Sequence, residues 1–325
     1  MSANFDALPG LEVPVDRIRL SLAELWRDDS AVAGAEDAKA TQVNFVLHLG
    51  YATTPEDAVA QFRTVVRFAQ RYPARVVVLC PLHHDVSGPS IRAKVYGECF
   101  LGRTPSDRRC VEFVMLSYSR GARPFLENQV SICLSTDLPL YYWAHGFSDS
   151  VRMADYRYLL GRSKRVLLDS ARAPAEALTY PWPNPAVIRD LAYCRVLPVR
   201  QGVGQFLAGY APAALVEGLR RVTVSHGGGL AAEAQVLAGW IGRRLAACGP
   251  ATGDAGRLQV SVGKQEAGLG FYFEYAGGKK FFRWRGDPAS GHASFEADLG
   301  GGPTRLGAGV SLLRPEQALS EAMFF

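Results

Sequence analysis

The chain has 325 residues, 48% of them hydrophobic, enough to form the cores of about two ordinary domains, which excludes a disordered or low-complexity chain. Its formal charge of +5 is spread over arginines from Arg17 to Arg314 with no long basic block, so no nucleic-acid partner is expected. No apolar run approaches the ~18 residues of a membrane span, no basic-then-apolar leader opens the chain, and the six cysteines form no C-x-x-C pair, so a soluble cytoplasmic protein with reduced thiols and no membrane partner is expected.

In chain order, Val15, Ile18, Leu22 and Leu25 of VDRIRLSLAELWRD recur at the spacing of one helical face. After an acidic stretch, DDSAVAGAEDAK, the run VNFVLHL (43–49) reads as a strand, 55–72 as a helix with Pro at its first position, and ARVVVLC (74–80) as a strand buried on both faces. That strand-helix-strand unit predicts parallel neighbours. SIRAKVYGECFL and RRCVEFVMLSY, joined by GRTPSD, predict an antiparallel hairpin; a turn between Thr104 and Pro105 sets Cys99 opposite Cys110. PFLENQVSICL predicts a helix, LPLYYW a strand, VRMADYRYLL a helix and KRVLLDS a short buried strand.

Residues 171–185 hold four prolines, which do not suit the interior of regular elements, and mark a boundary. Beyond them IRDLAYCRVLPVRQGVGQFL carries a long helical pattern interrupted at Pro198. The strand RVTVSH then leads through three glycines into a helix whose Leu230, Ala234, Leu237, Ile241 and Leu245 make one apolar stripe. LQVSV, GFYFEYAGGKKFFRWRGD and HASFEADLG predict strands. A two-residue turn at Gly277-Gly278 pairs Phe273 with Phe282 and Phe271 with Trp284 on one buried face, leaving Tyr272 and Arg283 on the other. The expected fold class is α/β. A mixed sheet with flanking helices occupies residues 1–173, a Pro-rich linker 174–185, and an α+β domain with an antiparallel β-meander near its C-terminal end 186–325.

Few residues suggest chemistry. SHGGGL is similar to the His-Gly-Gly-Gly segment that supplies oxyanion donors in esterases, but no G-x-S-x-G nucleophile elbow exists in the chain. Gly227, Gly228 and Gly229 between a strand and a helix form either a tight turn or a phosphate site at the helix N-terminus. His83, His84 and Asp85 follow a buried strand, yet no H-x-x-x-H spacing completes a metal set. Cys99 and Cys110 are either two small apolar core residues or a redox-sensitive pair. QGVGQFL lies in a helical pattern, not after a strand, so it is no dinucleotide fingerprint. The expectation is a protein that is not an enzyme and holds no cofactor or metal.

Seven segments then matter by their order: VNFVLHL; RYPARVVVLCP; the hairpin with Cys99 and Cys110-Val111-Glu112; DLPLYYWAHG; RVLLDS; DLAYCRVLPVRQGVGQFL; and EAQVLAGWIGRRLA. In that order they resemble the OpcA family, the glucose-6-phosphate dehydrogenase assembly proteins of bacteria, over residues 40–250. The family's forms include D-L-P-V followed by L-W-W, D-R-V-I-V-D-S, D-L-x-W-x-R-L-x-x-W-R and L-L-A-G-W-L. Here Tyr72 stands where the family tends to have His, Tyr193 and Val199 replace two Trp, and Tyr141-Tyr142-Trp143 replaces a Trp pair. Thioredoxin control, associated with C-terminal cysteines in cyanobacterial relatives, is not carried over, since no Cys follows Cys248.

The resemblance implies a non-catalytic assembly factor and allosteric activator that binds glucose-6-phosphate dehydrogenase and supports the oxidative pentose phosphate pathway. Tyr142, Trp143, His145 and Arg152, with Trp182 and Arg200 in the second half, are the candidate partner-binding residues, because interface cores favour Tyr, Trp and Arg. The bland reading makes Tyr141 and Trp143 buried sheet residues, with Tyr142 facing the opposite way. The rival function is a sugar-phosphate-binding or sugar-phosphate-processing protein using the strand-end loops around His83 and His145 and the glycine turn.

Overall fold

The computed structural model describes residues 3–25, 41–82, 88–101, 108–249 and 258–325. Helix α1 (Ala3–Ala7), strand β1 (Leu11–Val13) and helix α2 (Ile18–Glu24) open the chain, with Ile18 and Leu22 buried as their spacing predicts. The strand-helix-strand unit follows as β2 (Val43–Leu49), α3 (Pro55–Arg71) and β3 (Ala74–Pro81). Thr54 caps α3 by accepting from the Asp57 N–H, and Pro55 sits where no helical donor is needed. The hairpin is β4 (Ile91–Leu101) and β5 (Arg108–Tyr118). Then come α4 (Arg123–Cys133), β6 (Leu140–His145), α5 (Ser150–Ala154), α6 (Arg157–Arg162), β7 (Ser163–Leu168) and β8 (Ile188–Asp190).

These eight strands form one sheet in the order β1-β4-β5-β3-β2-β6-β7-β8. The run from β5 to β8 is parallel throughout, and β4 alone opposes its neighbours β5 and β1. Both faces are covered. On one, Val46, Val77, Leu79, Val114, Leu116 and Tyr142 share a core with residues of α2, α4, α5 and α6. On the other, the Phe45 ring meets Phe68 of α3 at 5.7 Å.

The chain continues as α7 (Leu191–Arg195), α8 (Leu197–Leu207), α9 (Pro212–Val216), β9 (Leu219–His226), α10 (Ala231–Ala247), β10 (Gln259–Lys264), β11 (Leu269–Tyr275), β12 (Phe281–Asp287), β13 (His292–Asp298) and β14 (Thr304–Gly309), and closes with α11 (Pro315–Phe324). The second sheet runs β10-β9-β11-β12-β13-β14, with a parallel β9/β10 pair and an antiparallel meander from β11 to β14. Phe273 pairs with Phe282 and Phe271 with Trp284, all buried in one core with α8 and α10, while Arg283 is exposed. Gly277 and Gly278 turn the hairpin with φ of 76° and 68°, the left-handed region that favours glycine.

Four expectations need correcting. The chain divides into Met1–Leu191 with Pro315–Phe325, and Ala192–Arg314, not at 174–185. The Pro-rich stretch is part of the first unit because Ala177 and Trp182 are buried in its core, the indole N–H donating to the Ala177 carbonyl at 2.7 Å. The expected helix over 151–160 is two short helices, broken where Tyr156 takes a non-helical φ/ψ of −80°/63°. The helical pattern from 188 begins as an edge strand, β8, too short to show a period, and Pro198 lies in the first turn of α8, where its missing N–H costs nothing. Finally, Cys99 and Cys110 stand opposite each other as expected and form a disulfide, which corrects the expectation of reduced thiols for this pair and leaves the paired alternative; with Cα atoms 4.1 Å apart across an antiparallel pair, the two sulfurs are within bonding reach. The turn between them lies outside the described residues, as do the acidic stretch 28–39 and His83, His84 and Asp85.

Candidate functional site

The strand order places a topological switch point between β2 and β6. From β2 the chain leaves outward through α3 to β3, and from β6 it leaves the other way to β7, so the loops after Leu49 and His145 diverge from adjacent strand ends. Open α/β sheets bind ligands in the crevice such a divergence creates. Gly50 and Gly146 sit at its base, where a side chain on Gly50 would overlap the Gly146 carbonyl and Gly146 itself has φ +65°. Two polar assemblies lie here.

The first is a crevice of about 360 Å³ formed where β2, β3, β5 and β6 end. Tyr51, Leu82, Tyr118, Phe147 and Tyr156 supply its walls, and Arg120, Arg123 and Arg152 its cations. Asp155 pairs with Arg123 at 2.9 Å, and Asp149 with Arg152 at 3.3 Å. Asp149 also caps α5, accepting from the backbone N–H groups of Val151 and Arg152. Arg123 is the first residue of α4, a helix with no acidic side chain in its first turn, so the positive end of its dipole is not offset there. The Arg123 guanidinium lies over the Tyr156 ring, 4.8 Å from its centroid.

Behind this crevice runs a buried chain of hydrogen bonds. His48 Nδ1 is 2.7 Å from the Tyr142 hydroxyl, His48 Nε2 is 2.7 Å from the Tyr118 hydroxyl, and Tyr118 is 2.7 Å from the Tyr156 hydroxyl. Burial, with a smaller contribution from the Arg123 charge, lowers the His48 pKa to about 3, so the imidazole is neutral and carries one N–H. Burial also pushes the Tyr118 and Tyr142 hydroxyls well above their ordinary range, keeping both protonated. Tyr142 is fully buried with His48 as its hydrogen-bond partner, so its O–H must donate to Nδ1 or go unpaired. That places the imidazole proton on Nε2, which donates to Tyr118; Tyr118 then donates to Tyr156, and the O–H of Tyr156 is left without an acceptor among the described residues.

The second assembly is His145 Nε2 at 2.7 Å from Asp57 Oδ2 in the first turn of α3. Burial acts to raise the Asp57 carboxyl, but hydrogen bonds from His145 and Gln61, with the Arg172 charge, outweigh it and hold the group below its ordinary value. His145 Nδ1 and Thr53 Oγ1 are buried without a partner among the described residues. The adjoining cavity is only about 10 Å³, room for a water molecule and no substrate.

The candidate partner-binding residues fare unevenly. Alternation does put Tyr142 on the face opposite Tyr141 and Trp143, but both faces of β6 are covered, so Tyr142, Trp143 and His145 are buried and present no docking surface. Trp182 is likewise a core residue. Arg152 is exposed and lines the crevice. Arg200 stacks on the Tyr193 ring at 3.8 Å and donates to its hydroxyl at 2.9 Å. Gly227 meets the backbone of Ala267 and Gly268 closely, its N–H donating to the Gly268 carbonyl. The first turn of α10 already holds the buried Glu233 carboxylate, paired with Arg195 at 2.8 Å, which disfavours a second anion at the glycine turn. Among the described residues no group of three or more His, Cys, Asp or Glu is arranged to hold a metal, and no helix is long and apolar enough to cross a membrane.

Sequence reasoning missed His48, Tyr118, Arg120, Arg123 and Tyr156. The available signal was His48 itself, a titratable side chain in a run of apolar residues that predicts a strand buried on both faces. No family model matches the chain, and no match to it is found among curated proteins.

Proposed function

We propose that this chain is a non-catalytic partner that binds glucose-6-phosphate dehydrogenase and raises its activity or promotes its active oligomer. The observation that carries this reading is the ordered set of seven segments resembling the OpcA family. Their placement adds support, because the segments are structurally tied to one another. In RVLLDS, Ser170 donates from its hydroxyl to Asp190 of DLAYC at 2.8 Å, and its N–H reaches the same carboxylate at 3.0 Å. Arg195 of DLAYCR pairs with Glu233 of the EAQ helix, and Arg200 packs on Tyr193 within one segment.

Such a partner acts by favouring a state the enzyme already samples, with a coupling of roughly 1 to 3 kcal/mol. Titrating the chain into the dehydrogenase of its own organism is expected to lower the KM for glucose 6-phosphate or raise kcat, with a complex on a sizing column. Unchanged constants together with no complex would overturn the reading.

A further inference from the structure

We propose that the crevice at the β2/β6 switch point is a binding site for a small organic phosphomonoester. The site is separate from the glycine turn, and the proposal does not rest on the dehydrogenase reading. Its volume of about 360 Å³ suits a metabolite-sized ligand.

Charge balance selects an anion. Two of the three guanidinium groups are each paired with an aspartate, while Arg120 makes no ion pair among the described residues. Among the described residues Arg120 is therefore the cation whose charge is unmatched, beside the uncapped first turn of α4. Donor count selects phosphate over carboxylate. One guanidinium satisfies a carboxylate in a two-pronged contact, whereas Arg120, the N–H groups that Arg123 and Arg152 keep beyond their aspartate contacts and a hydroxyl suit a group with three terminal oxygens.

The fourth donor is Tyr156, a side chain more than nine-tenths buried that lines the crevice. The buried chain running from Tyr142 through His48 and Tyr118 is oriented so that each hydroxyl donates toward the crevice. Tyr156 thus ends it as a donor whose proton has no acceptor among the described residues. An anion's oxygen completes the chain as acceptor, which a cation cannot do, and the unmatched charge of Arg120 favours it over a neutral hydroxyl. Leu82, Phe147 and the Tyr51 ring provide apolar wall for the organic part.

The test uses the full chain alone, without dehydrogenase, so its failure leaves the partner reading untouched. Calorimetric titration with ribose 5-phosphate, glucose 6-phosphate, glycerol 3-phosphate and inorganic phosphate is compared with ribose, glucose and succinate. Saturable binding of at least one phosphomonoester is expected, tighter than inorganic phosphate and absent for the uncharged sugars. Arg120→Gln, which breaks no ion pair of the described fold, should weaken it by about tenfold or more, the effect of losing a charge-assisted contact. Tyr156→Phe should weaken it by about threefold to tenfold while circular dichroism shows the fold retained. Arg305→Gln, an exposed change in the second unit, should leave it unchanged. Three outcomes overturn the proposal: no phosphomonoester binding at millimolar concentration, binding indifferent to Arg120→Gln, or binding of succinate in preference to every phosphate.

Discussion

His48 sits at the middle of the sheet with both ring nitrogens engaged, and it links the protein's stability to pH. In the unfolded chain the imidazole titrates near 6.5, and in the folded one near 3. Above about 6.5 both forms are neutral and the group contributes its full stability. As pH falls below that value the unfolded chain takes up a proton the folded chain refuses, so each unit costs about 1.4 kcal/mol until about pH 3. Between about pH 6.5 and 4.5, above the range where Asp57 adds acid sensitivity of its own, urea unfolding should lose stability more steeply in the natural chain than in His48→Gln. Equal slopes would show that His48 titrates normally. At the other end of the hydrogen bond, Tyr142→Ala should cost about 3 to 5 kcal/mol as a buried aromatic truncation. Any loss of partner affinity in that variant should track unfolding in a parallel melting curve.

At the scale of elements, regular periods were legible and short or broken pieces were not. The runs that became β2, α3 and β3 carry enough residues for period to decide, and the hairpin register that opposes Cys99 and Cys110 follows from turn position alone. Strand β8 has three residues, and α5 and α6 have five and six, too few for any pattern to outvote tertiary packing. The candidate site was hidden for a related reason. Its residues come from five separate places between His48 and Tyr156, and only the strand order brings them together. The Cys99–Cys110 bond cross-links β4 to β5 near the turn end of the hairpin, with a sequence separation of 11 residues. Reduction, or Cys99→Ser with Cys110→Ser, should therefore lower stability by about 2 to 4 kcal/mol in guanidinium titrations run with and without reductant. Identical midpoints would mean that the cross-link adds nothing to the hairpin's own pairing.

For the whole molecule, the least legible feature was that the last helix belongs to the first unit. Sequence proximity assigns α11 to the C-terminal domain, but Leu319, Ala322 and Met323 are buried, and the Phe324 ring packs at 4.7 Å from Tyr72 and 5.7 Å from Tyr141. Nothing in the period of PEQALSEAMFF says which apolar surface it covers. Deleting residues 315–325 should thus destabilise the first unit by more than about 3 kcal/mol, as expected for uncovering several buried apolar side chains. Hydrogen exchange should quicken in α3, β6 and β7 while β11 to β13 keep their protection. Uniform protection in the truncated chain would remove α11 from the first core.

That return of the chain also sets an order of events during synthesis. A ribosome completes strands β1 to β8 long before it reaches Pro315, so the patch that α11 covers beside α3, with Tyr141 of β6 and Tyr72 at the end of α3, waits uncovered while the whole of the intervening 123-residue unit Ala192–Arg314 is made. At about 5 to 20 residues per second this interval lasts several seconds, far longer than helix or hairpin formation takes. The nascent first unit consequently spends that time as an incompletely covered intermediate, exposed to chaperones and to aggregation, and is closed only by a segment that the second unit separates from it in sequence.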